Sequence, residues 1–314
     1  MLNVIYYPVS AILWFWHTMF TTVLGGPTSG IAWALAVVFL GFTLRALLFK
    51  PYVKQVRTQR LMQQLEPQIK ALRTKHASDR QALTAVTQKL HKEHSVNPVA
   101  GCLPVLVQAP VLIGLYHVLR SFNRTGSVGH IPFLSPTQPM SIAQNATTPN
   151  YVFGVGDVQS FLHAKLFGAP LSAMITTPAA QLDAFTGDVS RVSIALVAIP
   201  LMIIAAVATH VTARASVARQ SATAAATPQS VIMNKLAVWI FPAGALVAGA
   251  FLPVAILLYW LSSNAWTLAQ QHYAFGHLAA EDATAQQHRI QARAAAAPKP
   301  GTRPTTRKKN RPKH

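Results

Sequence analysis

The sequence predicts an all-α integral membrane protein. It should have five membrane spans, a helical hairpin between the first two, and an N-terminal interfacial helix. Three observations carry that reading. The 314 residues are 51% hydrophobic and only 11% charged, with a mean hydropathy of +0.31, which places the chain in the membrane class. Apolar runs long enough to cross about 30 Å of hydrocarbon recur along the chain. The segment 236–280 carries no Asp, Glu, Lys or Arg, and as one helix it would reach about 67 Å, so it must fold back.

Residues 1–27 form the first element. No Lys or Arg precedes Arg45, so the start does not read as a secretory signal peptide, which needs a basic n-region. Within 4–24, Ser10, His17, Thr18 and Thr21 share one helical face, and Tyr6, Tyr7, Trp14 and Trp16 are types that favour the headgroup zone. An amphipathic helix lying along the membrane surface fits this pattern; a sixth span is the alternative.

The region 28–122 holds the first two spans, about 30–49 and 102–119, around a polar helical hairpin at 51–95. In the hairpin Leu61, Leu65, Ile69 and Leu72 form one stripe, and Leu83, Val86 and Leu90 another. "KHASDRQ" reads as the turn, with Asp79 as N-cap of the second helix. The stripes pack on each other, and the basic outer face suits anionic lipid headgroups. The connector 123–190 is rich in Gly, Pro, Ser and Thr, and reads as mostly irregular with a short helix at 158–167. The region 191–275 holds three spans, near 192–209, 234–251 and 254–273, with Pro253 at the last hairpin point. The tail 276–314, ending "RPTTRKKNRPKH", reads as disordered and basic. It suits a polyanion such as lipid headgroups or ribosomal RNA, or serves only as a topology signal. Nothing points to DNA.

Charge orients the spans. Residues 50–92 hold ten Lys/Arg against Glu66, Asp79 and neighbouring Glu93, and 210–235 holds Arg214, Arg219 and Lys235 with no acid. The positive-inside rule puts these segments and the C-terminus in the cytoplasm and the connector outside.

Enzyme chemistry is not signalled. The sequence contains no GxxxxGK[ST], HExxH, CxxC or GxSxG, and the single Cys102 allows no intrachain disulfide. "GVGD" at 154–157 is too short to carry a phosphate site, and His91 and His94 sit on an exposed basic hairpin, so no metal or cofactor is expected. Every Asp and Glu lies outside the spans, which argues against an intramembrane aspartyl protease and a proton-coupled carrier.

The polar residues inside the spans are few: Arg45, Gln108 and Asn264. Gln108 and Asn264 fit helix–helix hydrogen bonds worth about 1 kcal/mol. Two placements fit Arg45. It lies about 7.5 Å from the helix end, within snorkelling reach of the headgroups. Cα–Cβ bonds tilt toward a helix's N-terminus, however, which aims this side chain back into the membrane and favours a water-filled cavity.

The stretches "LRALLFKPYVKQVRTQRLMQQLEPQIKALRTKH" and "HSVNPVAGCLPVLVQAPVLIGLYHVLRSFNRT" resemble the YidC/Oxa family of membrane protein insertases. The pattern NP-x-x-GC-x-P-x-x-x-Q-x-P from Asn97 to Pro110 is specific, and "FLPVAILLYWLSSNAWTLAQQHY" resembles the family's last span. "RSFNRT" and "QQHYAFG" resemble actinobacterial members, and no counterpart of the large outer domain of Gram-negative members is expected. The resemblance implies a five-helix insertase core around a hydrophilic groove, open to cytoplasm and lipid and closed outside. It puts Arg45, Gln108 and Trp260 in the substrate-binding groove, as arginine, polar residue and aromatic contact. Gly41 departs from members that have a polar residue there. The implied partners are nascent membrane proteins, the SecYEG translocon, the ribosome and the signal-recognition pathway. The implied location is the bacterial plasma membrane. The rival readings are a small-solute transporter or channel, and an adaptor that tethers ribosomes through the basic tail.

Overall fold

The computed structural model describes residues 3–24, 26, 28–94, 103–125, 139–182, 185, 189–220 and 228–296. They form α1 (Asn3–Leu24), α2 (Gly30–Leu47), α3 (Phe49–Lys75), α4 (Arg80–Glu93) and α5 (Leu103–Arg120). The connector adds α6 (Ile142–Thr147), α7 (Val155–His163), β1 (Lys165–Leu166), β2 (Ala169–Pro170) and α8 (Ala179–Leu182). Then follow α9 (Arg191–Ala218), α10 (Pro228–Lys235), a π-helical turn (Leu236–Ile240), α11 (Phe241–Gly249) and α12 (Val254–Ala296). The fold is all-α apart from the antiparallel pair β1–β2. Three helical segments, Gly30–Leu47, Arg191–Ala218 and Ser230–Gly249, are long and apolar enough to cross a membrane. α5 and the start of α12 are helical over the two remaining expected spans, and the chain turns between Gly249 and Val254, around Pro253.

The N-terminal helix faces differently from the surface-lying amphipathic helix expected. Ser10 and His17, from its polar stripe, are buried. The helix packs on α2 and α5, and His17 stacks on Trp33 at 3.6 Å. Trp16 Nε1 donates to Thr43 Oγ1 at 2.9 Å, and Tyr6 stacks on His117 at 4.2 Å. Of the four aromatics read as headgroup anchors, only Tyr7 and Trp14 are exposed. Val4, Phe15, Met19 and Val23 line the exposed side, so the face turned away from the protein is apolar. Burying the polar groups against protein partners avoids leaving them unpaired.

The described part of the connector carries regular elements that its composition does not imply. α7 spans Val155–His163 rather than 158–167, and the pair β1–β2 follows it. "GVGD" is the start of α7, where Gly154 N donates to Asp157 Oδ2 at 3.0 Å. Trp33 is fully buried, ringed by Phe122, Phe153 and Phe161, and donates to Ser160 Oγ at 2.9 Å. Each such ring contributes roughly 1.5–3 kcal/mol by burial. The connector also terminates helices whose end groups lack partners of their own. Asn145 Nδ2 and Asn150 Nδ2 donate to Phe122 O and Val118 O at the end of α5. Val254 N and Ala255 N, opening α12, donate to Ala173 O and Leu171 O.

α3 and α4 form the hairpin, with a turn at 76–79 and Asp79 Oδ1 accepting from Ala82 N at 2.9 Å. Leu65 is buried and Ile69, Leu72, Leu83, Val86 and Leu90 are half-buried, but Leu61 is exposed. A second unit begins at Gln271. Within it, residues 276–296 are helical rather than disordered, because alanine-rich sequence has high helix propensity and His277 pairs with Glu281 at 3.3 Å, one turn on. Residues 297–314, including the basic run, lie outside the described residues.

Two predictions follow from this packing. A Cβ on Gly30 would strike the backbone carbonyl of Lys165, whereas one on Gly276 meets nothing within 4 Å. Gly30→Ala should cost about 1–3 kcal/mol by overpacking, and Gly276→Ala should be neutral or stabilising by about 0.5–1 kcal/mol. Thermal unfolding in detergent reads both. Tyr151, at φ 53°, hydrogen-bonds His117 Nε2 at 2.6 Å and touches Tyr6 and Tyr7. Burial, reinforced by these two tyrosines and opposed by Arg124, pushes its hydroxyl up to about 12. An unfolded tyrosine ionises near 10. Above about pH 10 the unfolded chain therefore loses a proton that the fold retains, and stability falls. Tyr151→Phe should flatten that alkaline decline in a pH series of melting curves.

Candidate functional site

α2 and α12 run side by side in the same direction, both starting at the connector, and three contacts hold them together. At Gly41 an added Cβ would lie 2.7 Å from Ser262 Oγ and 3.2 Å from Tyr259 Cδ2. The glycine lets the two backbones approach. Phe42 meets Trp266 with ring centroids 5.6 Å apart. One turn beyond Gly41, Arg45 Nε and Nη2 both donate to Ser263 Oγ, at 3.1 and 2.7 Å.

Arg45 is half-buried. Its partner is a neutral hydroxyl, and no Asp or Glu occurs in any of the spans to neutralise it. The charge therefore persists in a region where the membrane supplies little screening. The side chain reaches across to α12 rather than only along its own helix toward the headgroups.

The polar seam continues along α12. Thr267 Oγ1 donates to Ser263 O at 2.8 Å, Ser262 Oγ to Tyr259 O at 2.7 Å, and Trp266 Nε1 to Gln270 Oε1 at 2.7 Å. From α9, Thr209 donates to Ala205 O at 2.7 Å and lies 3.5 Å from Asn264 Oδ1. Asn264 Nδ2 donates to Trp260 O at 3.0 Å. His210 Nδ1 lies 2.7 Å from Val238 O in the π-helical turn. Because a carbonyl only accepts, Nδ1 carries the hydrogen. In that turn Phe241 N reaches Leu236 O, five residues back, and the histidine ties α9 to the turn through the Val238 carbonyl.

Of the residues expected in the groove, Arg45 stands at the α2–α12 seam. Trp260 lies on α12, half-buried, and no hydrogen bond or ring contact joins it to Arg45 among the described residues. Gln108 lies on α5, and its side chain is outside the described residues. Sequence reasoning missed Ser263. Its signal was the spacing of Tyr259, Ser263, Thr267 and Gln270, a polar stripe at helical period in an otherwise apolar span. Among the described residues no cluster of His, Cys, Asp or Glu could hold a metal.

This geometry defines a class: a multi-pass α-helical membrane protein with an arginine-centred polar seam between its spans. The profile of the family described as the 60Kd inner membrane protein matches residues 24–280, and the chain belongs to that family, which is the YidC/Oxa family. It is 53% identical over 313 residues to "Membrane protein insertase YidC" of Mycobacterium tuberculosis (strain ATCC 25618 / H37Rv), covering 99% of this chain and 82% of that protein. It is 54% identical over 305 residues to the protein of the same name from Mycolicibacterium paratuberculosis, covering 96% and 83%. A Streptomyces avermitilis protein of that name is 32% identical over 269 residues, covering 85% and 56%.

The seam depends on the close approach at Gly41. Gly41→Leu should force α2 and α12 apart and cost about 1–3 kcal/mol. Gly244→Leu, where an added Cβ meets nothing within 4 Å, should cost less. Melting temperatures of the two variants in one detergent check this.

Proposed function

We propose that this protein inserts nascent membrane proteins into the bilayer and that Arg45 receives them. The observation that carries the reading is a charged guanidinium held inside the span region by a neutral hydroxyl, with no carboxylate in the spans to pair with it. A substrate's short acidic outer tail supplies the missing charge. Attraction in a medium of reduced dielectric exceeds its value in bulk water. A potential positive outside adds about 2.3 kcal/mol per acidic charge per 100 mV. Burial of the substrate's apolar span in lipid then drives release. The relatives' names and the family membership support this reading. The cycle uses no covalent step.

The charge asymmetry of the loops supports a cytoplasmic hairpin and C-terminus, with the connector outside. The groove then opens to cytoplasm and lipid, with Gln108 and Trp260 contributing a polar and an aromatic contact. On the family resemblance, the SecYEG translocon, the ribosome, the signal-recognition pathway and anionic lipids are its partners.

Insertion of a single-span substrate with an acidic tail into proteoliposomes tests the role of Arg45. Arg45→Lys should retain most of the rate, and Arg45→Ala should lose roughly tenfold as the charge disappears. Equal rates in all three proteins would overturn the charge-reception model.

A further inference from the structure

Resting on the reading of Arg45 as the receiver of an acidic tail, we propose that Ser263 is the positioning residue that aims it. A guanidinium offers two edges for forked recognition: the side edge, Nε with Nη2, and the end edge, Nη1 with Nη2. Ser263 Oγ takes both N–H groups of the side edge, at 3.1 and 2.7 Å. Among the described residues the end edge makes no hydrogen bond, and Tyr52 and Tyr259 are the guanidinium's electrostatic neighbours. One hydroxyl has two lone pairs, so it saturates one edge and cannot reach round to the other.

The choice of a serine matters chemically. An aspartate or glutamate at 263 would hold the same edge but cancel the charge, leaving no net attraction for a passing carboxylate. An alanine would leave the guanidinium free to rotate among many positions, and a carboxylate would then pay for ordering it. Serine fixes orientation while the charge stays whole. Its own placement is firm. Ser263 is buried, its carbonyl accepts from Thr267 Oγ1 at 2.8 Å, and the Gly41 contact one turn away sets the distance between helices. The substrate feature recognised is therefore a carboxylate presented to the end edge, where two parallel N–H···O bonds form.

The test uses the full chain in proteoliposomes with two single-span substrates that differ only in an acidic or a neutral outer tail. Ser263→Ala should slow the acidic-tailed substrate about tenfold, the scale of losing a hydrogen bond to a charged group. Ser263→Thr, which keeps the hydroxyl, should restore the rate. Ser263→Asp should match Arg45→Ala on the acidic tail. All three should slow the neutral-tailed substrate by a smaller factor than Ser263→Ala slows the acidic-tailed one, and melting curves in detergent report that they fold. The double variant Arg45→Ala/Ser263→Ala should be no slower than Arg45→Ala alone. If Arg45→Ala impairs the acidic tail but Ser263→Ala does not, the positioning role is overturned and the charge-reception model stands. If Arg45→Ala is itself without effect, the underlying reading fails. If Ser263→Ala slows both substrates alike, the serine is structural and the inference fails.

Discussion

A guanidinium costs about 2.5–3.5 kcal/mol at the centre of a bilayer and less at the depth of Arg45, and the contact between α2 and α12 carries that charge without neutralising it. Three features act together. Gly41 removes a side chain where the helices must touch. Tyr259 and Ser262 occupy the space that side chain would need. Ser263, one turn along, then stands at hydrogen-bonding distance from Arg45. A carboxylate at that position would satisfy the electrostatics better and would leave nothing to do with a substrate. The weaker neutral partner is the arrangement consistent with a site that must accept and release.

Closing one end of the spans is the connector's part. A helix that starts at a hairpin leaves N–H groups unpaired, and one that ends there leaves carbonyls unpaired. Backbone carbonyls from 171 and 173 serve the start of α12, and Asn145 and Asn150 serve the end of α5. The same segment buries Trp33 of α2 among three phenylalanines. Three spans are thereby referenced to one body, and the spacing between α2 and α12 at Arg45 is set partly by what holds their starts. Fixing this end leaves the other, where the hairpin joins, as the end at which polar groups such as Gln63 and Arg219 O meet over the chain.

Hydropathy made the spans legible because lipid imposes a length and a composition that no packing detail overrides. α2, α9 and the segment from Ser230 to Gly249 stand out on those grounds alone. Pro253 and Asp79 were legible too, since a turn and an N-cap are chosen by local backbone chemistry. The orientation of α1 was not. A polar stripe says only that one face avoids hydrocarbon; it does not say whether water or protein receives it, and here Ser10 and His17 go to protein. The connector was read as irregular because elements of two to nine residues give too few periods to see, and its order rests on long-range contacts such as Trp33–Ser160. The helix over 276–296 was missed because basic and alanine-rich composition was weighed as failure to bury a core, whereas helix propensity needs none. At the candidate site, Arg45 was conspicuous as a charge in an apolar run, while Ser263 was not, since serine is cheap in a span and looks like any small residue.

Among the described residues, several other polar groups of the helices follow a rule that Arg45 departs from. Trp16 is paired with Thr43, Trp266 with Gln270, and His210 with the Val238 carbonyl of the π-helical turn. Each is satisfied within the protein at the level where it sits, as a medium without water requires. Arg45 shares its hydroxyl acceptor through two N–H groups and retains a full charge that no intraspan group balances. The contrast is informative because the sequence can evidently supply partners where it needs them, as Gln270 does for Trp266. On the proposed function, an arginine given orientation but no counter-charge within the spans is half an interaction, and the substrate's acidic tail carries the other half.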